Sequence, residues 1–584
     1  MICLNQRLSV VVAFVFAVLI FWGPTAQACA WQEQATLVLR NGHVVTVDEQ
    51  NPEAQSIAVA NDKILAIGTD DEIAKFINDQ TQVVDLAGRL AIPGFIEGHS
   101  HFVGMGETKM MLDLSKADTW DDIAKQVEDA VQATPPGEWI IGRGWHQEKW
   151  SETPQPSFEG YPTHDKISAV SPNNPVLLTH ASGHMCFANS YAMDQAGVNA
   201  ETVPPEGGEI LHDDKGQPIG VFRETATALI GRAKASADAK MSPLERVELS
   251  HRAVELAVQE CLENGITSFH DAGSSFATIA MLKERAENGK LGVRLWVMVR
   301  DHLDRMEENL PKAKVRRHAD NFFTVGGIKL SLDGALGAHG AWLLLPYEDL
   351  PTSVGLNTAP IDTAKQLAEL AVKNGYQFCV HAIGDRANRE VLDIFEETFN
   401  ANPSILPRRW RIEHAQHLHP DDISRFAELG VVASMQGIHC TSDAIFVLQR
   451  LGARRAEEGA YVWQKLLKSG AVVTNGTDAP VEDVDPIASF YATVTRKLKD
   501  GNEFFPDQKM TRAEALKSYT LSNAYAAFED DIKGTLTVGK LADITVLSKD
   551  IMVCPDSEIR DAKVDLTIVG GKIAFDRVAV EAAK

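Results

Sequence analysis

The rhythm of apolar and polar positions changes twice along the chain. At 36–39, 43–47, 56–60 and 63–67, short β-type runs are separated by the turn pairs Asn41-Gly42 and Asn61-Asp62. Runs of this length between Asn, Gly and Asp read as strands and turns. The same texture returns at 544–547, 566–569 and 572–575, with Gly570-Gly571 between the last two. The two distant ends, 35–90 and 533–584, are therefore expected to build one small β-sandwich.

The middle of the chain behaves differently. Apolar, β-rich runs at 91–97, 266–270, 294–299, 327–332, 377–381, 411–414, 431–435 and 471–475 alternate with amphipathic helical stretches at 244–264, 363–374, 387–400 and 420–429. Such alternation marks an α/β fold with a parallel sheet of β-α units, and eight runs is the count for a closed (β/α)8 barrel, here over 91–532. The gap between the first and second runs is too long for a single connection. An inserted lid subdomain is expected at about 103–240, over the carboxyl-terminal mouth of the barrel.

At the N-terminus Arg7 precedes an uncharged apolar run at 8–22, then Gly23-Pro24 and Ala26-Gln27-Ala28. This reads as an export signal over 1–28, cleaved after Ala28. A membrane anchor is the alternative, but the run is shorter than the roughly 20 residues a span needs and ends in helix breakers. The mature chain is expected to be periplasmic or secreted, with no membrane span. Cys29 would be its first residue, with lipidation there as a minor alternative.

Composition adds exclusions. Eighty acidic against 56 basic side chains give a net charge of -24, which repels nucleic acid and anionic lipid surfaces. Seven scattered cysteines without a CxxC pair suit neither a disulfide framework nor a zinc knuckle.

Ligand-type residues gather at the ends of the barrel runs. The first run leads into His99-Ser100-His101, where alternation along an extended chain puts both imidazoles on one side. A lone HxH is equally a pair of satisfied histidines. Lys329, His381, His414 and Asp478 lie at or near the ends of the fourth, fifth, sixth and eighth runs. In a barrel these ends meet at one mouth, and the set suits zinc or a similar divalent ion.

The motifs PGFIEGHSH at 93–101, GHMCFANS at 183–190, DGALG at 333–337, HAIGD at 381–385, RIEHAQ at 411–416 and GTDAPV at 476–481 together resemble the amidohydrolase superfamily. Within it the chain is similar to the amidohydrolase 3 family, which includes N-substituted formamide deformylases. The resemblance implies that His99, His101 and Asp478 hold one metal and that His381 and His414 hold a second. A carboxylated Lys329 would bridge them, a structural ion pair with Asp333 being the alternative for this lysine.

The expected cofactor is one or two zinc ions, and a divalent ion lowers the pKa of bound water towards about 7 and polarises a carbonyl. Asp478 is expected to take the nucleophile's proton and return it to the leaving nitrogen. The expected reaction is hydrolysis of a non-peptide C–N bond in a small amide or formamide. The alternatives are a mononuclear deaminase or cyclic amidohydrolase on the same scaffold, and a non-catalytic exported regulatory protein.

On the substrate side the resemblance points to His184 and to the segment around Trp145, where His146 stands in place of the usual aspartate. His180 reads equally as a hydrogen-bonded core histidine. His339 occupies the position where the family commonly has arginine, replacing a permanent cation by a titratable ring. Asp385 and Arg386 read as a loop ion pair, and His270-Asp271 as packing at the barrel rim or as pocket residues. His417, His419 and His439 are expected behind the ligands or at the surface. Cys186 and Cys440 are expected as free buried thiols that could approach one another.

Overall fold

A computed structural model describes residues 33–583. The expected leader and Cys29 lie outside the described residues. Eight parallel strands form the barrel: β1 (Phe95–Ser100), β2 (Ile266–Ser274), β3 (Arg294–Val299), β4 (Phe323–Ser331), β5 (Gln377–Ala382), β6 (Arg411–His414), β7 (Val432–Gln436) and β8 (Val472–Gly476). They pair in sequence order from β1 to β8. One face of the strands packs with the flanking helices in one large apolar core, and Ala272, Trp296, Met298 and Cys379 form a small separate cluster on the other face, so both faces are buried, as expected of strands covered on both sides.

The run at 91–97 divides at Gly94. Leu90–Pro93 belongs to a sandwich sheet and only Phe95–Ser100 enters the barrel. Any side chain at Gly94 would stand 2.3 Å from Thr267 Cγ2, so this crossing between two sheets requires glycine.

The seam between β8 and β1 is joined by only a few main-chain bonds beyond the strand ends: Asp478 N donates to His99 O at 2.8 Å and His101 N to Ala479 O at 2.8 Å. Within the seam, side chains take over. Asn523 Nδ2 donates to Ile96 O at 2.6 Å and to Asn475 O at 2.8 Å, and Glu97 Oε1 accepts from Thr477 N at 2.7 Å. These bonds satisfy main-chain groups that the ladder leaves open in a buried place. They also fix β1 against β8, and so the HxH pair against Asp478.

A six-stranded sheet with helices against it lies between β1 and β2, its strands running from Leu112–Asp113 to Pro218–Glu224. It has its own apolar core around Trp120, Trp145, Phe187 and Val221. The helix Pro243–Glu263 then leads back to β2, started by a capping box of Ser242 and Glu245. The two chain ends form a four-stranded and a six-stranded sheet. Residues from both ends, such as Leu37, Ile57, Ile544 and Ile568, share the core between them.

Candidate metal centre

Four buried groups meet at the carboxyl ends of β1, β5, β6 and β8. Among the described residues, one set could hold a metal ion: His99, His414 and Asp478 offer ligand atoms all within 4.8 Å of one another. His101 Nε2 lies 3.4 Å from Asp478 Oδ1, and His99 Nε2 lies 3.5 Å from the same oxygen. His381 stands edge-on to His414, with ring centroids 4.4 Å apart. Lys329 Nζ approaches His99 Nε2 at 3.4 Å.

The backbone bends to make this convergence. His414 has φ +77°, Ala415 +44° and Asp478 +58°. Non-glycine residues in this region are uncommon and store strain, which gathers at functional sites. At His414 the turn breaks strand alternation, so Glu413 and His414 both face His99.

Two of the candidate ligand imidazoles are held from behind. His99 Nδ1 lies 2.5 Å from Glu413 Oε2, an arrangement in which Nδ1–H donates and Nε2 keeps its lone pair for a metal. Glu413 is in turn held by Arg411, whose Nε lies 2.7 Å from Oε1. That guanidinium also donates to Gly98 O and Ser434 Oγ, both at 2.7 Å. His414 Nδ1 pairs with Gln436 Oε1 at 2.8 Å, leaving Nε2 free to ligate.

Protonation states follow from burial. Burial and the nearby Lys329 lower His99 to about 4. Burial, followed by neighbouring imidazoles, holds His381 and His414 well below their ordinary value, so these imidazoles are neutral and able to coordinate. Burial works to raise Asp478, but the imidazoles of His101, His99 and His414 outweigh it and hold the carboxyl well below the usual range. Burial lowers Lys329 to about 8.

A divalent ion fits these residues. Asp478 Oδ1 and His381 Nε2 are buried without a hydrogen-bond partner, a cost that coordination would remove. Neutral imidazoles with one carboxylate are ligands for zinc-class ions.

The centre borders two cavities. A narrow compartment of about 50 Å³ reaches His146, His180, His439 and Phe446, and a larger one of about 840 Å³ reaches His101, Arg143, Arg300 and Lys329. His184, His381, His414 and Asp478 line both. His184 comes from the inserted sheet, with its Nδ1 at 2.7 Å from Glu224 Oε2. Burial alone would lower His184, but Glu224 more than offsets this and raises it.

Residues 82–575 match the family model described as Amidohydrolase family. The chain belongs to the amidohydrolase family. It is 34% identical to Protein LONG AFTER FAR-RED 3 of Arabidopsis thaliana, over 92% of this chain and 91% of that protein. It is 28% identical to N-substituted formamide deformylase of Arthrobacter pascens, over 93% and 98% of the two chains. An uncharacterized metal-dependent hydrolase of Pyrococcus horikoshii OT3 shares the fold, with TM-score 0.71 and 24% identity over 89% of this chain and 99% of that one.

The amidohydrolase-family motifs account for fewer than half of the residues facing the cavities, and not every residue expected at the pocket faces one. Trp145 does not: its ring is 0% exposed, lies in the core of the inserted sheet, and donates from Nε1 to Leu178 O at 2.9 Å. The next residue, His146, faces the narrow compartment instead. His339 lines neither cavity; its Nε2 lies 3.3 Å from Asp349 and its ring packs edge-on to Tyr347. Lys329 makes no ion pair with Asp333 among the described residues. Asp333 instead accepts from Trp342 N, Ile383 N and Gly384 N at 2.8–3.0 Å, tying the β4 loop to β5.

The remaining polar candidates divide similarly. His180 is a satisfied histidine, bonded to Ser182 Oγ and Gln147 Oε1, and it also lines the narrow compartment. Asp385 accepts from Leu344 N while Arg386 pairs with Glu390, so these neighbours do not form one loop ion pair. His270 is buried against Trp296 and Arg411, below the cavities. His439 Nδ1 meets Gln416 in the narrow compartment wall, His417 packs on Tyr461, and His419 accepts from Asp421 N. Cys186 and Cys440 are free and lie in separate apolar clusters.

Glu413, Gln436 and Glu224 are functional neighbours that sequence reasoning missed. Glu413 had one available signal, its place directly before His414. Glu224 had none, since only the folded insertion brings it to His184.

Proposed function

We propose that this amidohydrolase-family protein hydrolyses a non-peptide C–N bond in a small amide or formamide, using one or two zinc-class ions. The observation that carries this reading is the convergence of His99, His414 and Asp478 with unpartnered ligand atoms on Asp478 and His381. A divalent ion held there supplies Lewis acidity, which acidifies water and polarises a carbonyl.

The protein's own groups supply the rest. Asp478, ionised at neutral pH, takes a proton from water on Oδ2, the oxygen not left for a metal, and delivers it to the leaving nitrogen. His184, its pKa raised by Glu224, donates a hydrogen bond to the substrate from the cavity wall. His99 and His414 are kept in the ligating tautomer by Glu413 and Gln436. The cavity of about 840 Å³ admits a drug-sized molecule.

A mononuclear deaminase or cyclic amidohydrolase is the second reading, favoured by the fact that the one tight ligand set among the described residues has three members. The deciding experiment is metal reconstitution followed by elemental analysis and a screen of formamides, N-acyl amino acids, lactams and aminopurines. Metal-dependent release of amine or formate, abolished in Asp478→Asn protein that still binds metal, supports the hydrolase reading. Full turnover by Asp478→Asn, or no turnover across the panel at full metal occupancy, overturns it.

A further inference from the structure

We propose that the larger cavity holds a carboxylate subsite built on Arg300, so that the substrates of the hydrolase reading above carry an anionic group beside the bond to be cleaved. Arg300 follows β3 and lines the same cavity as Lys329, His101 and Asp478. Its main-chain N–H donates to Ser274 O at 2.9 Å, which fixes where the side chain leaves the backbone. Its stem lies against Gly273, where a Cβ would stand 3.0 Å from Arg300 Cδ and 3.5 Å from Lys329 Cγ. Gly273 has φ +134°, a conformation open to glycine, so the backbone beside the centre is shaped to seat this side chain.

The side chain is exposed to the open cavity, and its guanidinium, a permanent cation with five donors, has no carboxylate partner and no hydrogen bond among the described residues. Most of the other charged groups of the cavity are engaged. Arg143 donates to Ala181 O and Pro480 O, so it fastens the inserted sheet to the loop after β8. Glu224 is held by His184, and Asp301 by Arg305. Glu107 also lines the cavity without pairing with Arg300, and burial raises its pKa, which makes it a poor counter-ion. A guanidinium without a counter-ion, lining the same cavity as the candidate metal ligands, matches a planar anion in two-point contact.

The inference is tested with N-benzoylglycine and its neutral twin N-benzoylglycinamide, titrated calorimetrically into the metal-loaded full chain. The wild type is expected to bind the carboxylate roughly 10-fold or more tightly than the carboxamide, the range of a charge-assisted contact. Arg300→Met should bring the ratio close to one, and Arg300→Lys should restore part of it. No preference in the wild type, or a preference that survives Arg300→Met, overturns the subsite, the latter because the carboxylate is then read elsewhere, as by the metal. Arg300-dependent binding without hydrolysis of any acylated compound would instead remove the hydrolase reading and leave the subsite standing.

Discussion

Replacing Glu413 by Gln should weaken metal binding without touching a ligand atom. The carboxylate is fully buried and lies 2.5 Å from His99 Nδ1. Glutamine keeps the shape and can still accept from Nδ1–H, but it removes the charge that makes His99 a stronger donor to a cation. Loss of such a partner typically costs about 10–100-fold in metal affinity, or about 1.4–2.7 kcal/mol. A second cost falls on Arg411, left buried without its counter-charge. Breaking a buried pair costs about 3–5 kcal/mol, and the surviving bonds to Gly98 O and Ser434 Oγ put this case at about 3 kcal/mol.

The two costs separate by assay. Zinc competition against a chelator of known affinity reads the first, and denaturant unfolding of the metal-free protein reads the second. Burial works to raise Glu413, but Arg411, then His99 and Lys329, outweigh it and hold the carboxyl well below its usual range. A depressed pKa contributes stability above the unfolded-state value near 4.3 that is lost as pH falls through the folded one. The wild-type advantage over Glu413→Gln should therefore be full at pH 7 and shrink below about pH 4. Metal affinity within twofold of wild type would refute the view that Glu413 tunes His99.

Three further outcomes are expected. Lys329→Ala should lower the metal content of purified protein, read by elemental analysis; unchanged two-ion stoichiometry would remove Lys329 from the site. Glu224→Gln should lower the pKa of His184, seen in its ring resonances. Because that pKa is raised in the folded wild type, His184 contributes stability below its unfolded value near 6.5 that is lost as pH rises through the folded one. The variant should lack this loss as pH rises above about 6.5, and an identical melting profile would count against the pair. Asn523→Ala should cost about 2–3 kcal/mol by leaving Ile96 O and Asn475 O without their seam donor; destabilisation under 0.5 kcal/mol would mean that the seam does not depend on it.

What could be read from letters was whatever one strand carries by itself. The eight apolar runs declare their strands because each is a continuous buried segment, and their ends declare ligand chemistry because His, Lys and Asp are rare where strands otherwise stay apolar. The phase of a strand is harder. Trp145 and His146 are adjacent, so one faces the core of the inserted sheet and the other the narrow compartment; the sequence favours neither until the partner strands are known. Glu413 illustrates a different limit. Alternation assigns it to the face opposite His414, and only the positive φ of His414 puts both beside His99.

The groups that were not legible share a physical origin. Glu224 and Arg300 act on partners brought to them by different elements, Glu224 on a ring 40 residues earlier in the chain and Arg300 on a cavity shaped by Gly273. Asn523 likewise reaches two strands far from it in sequence to join the barrel seam. Metal ligands must be histidine or carboxylate in any context, so their identity survives in the sequence. A residue that supports or selects is defined by what stands opposite it, and that is set only when the barrel closes and the inserted sheet lies over its mouth. Catalytic class is therefore carried by motif residues, whereas the choice of substrate rests on side chains such as Arg300 whose meaning is wholly tertiary.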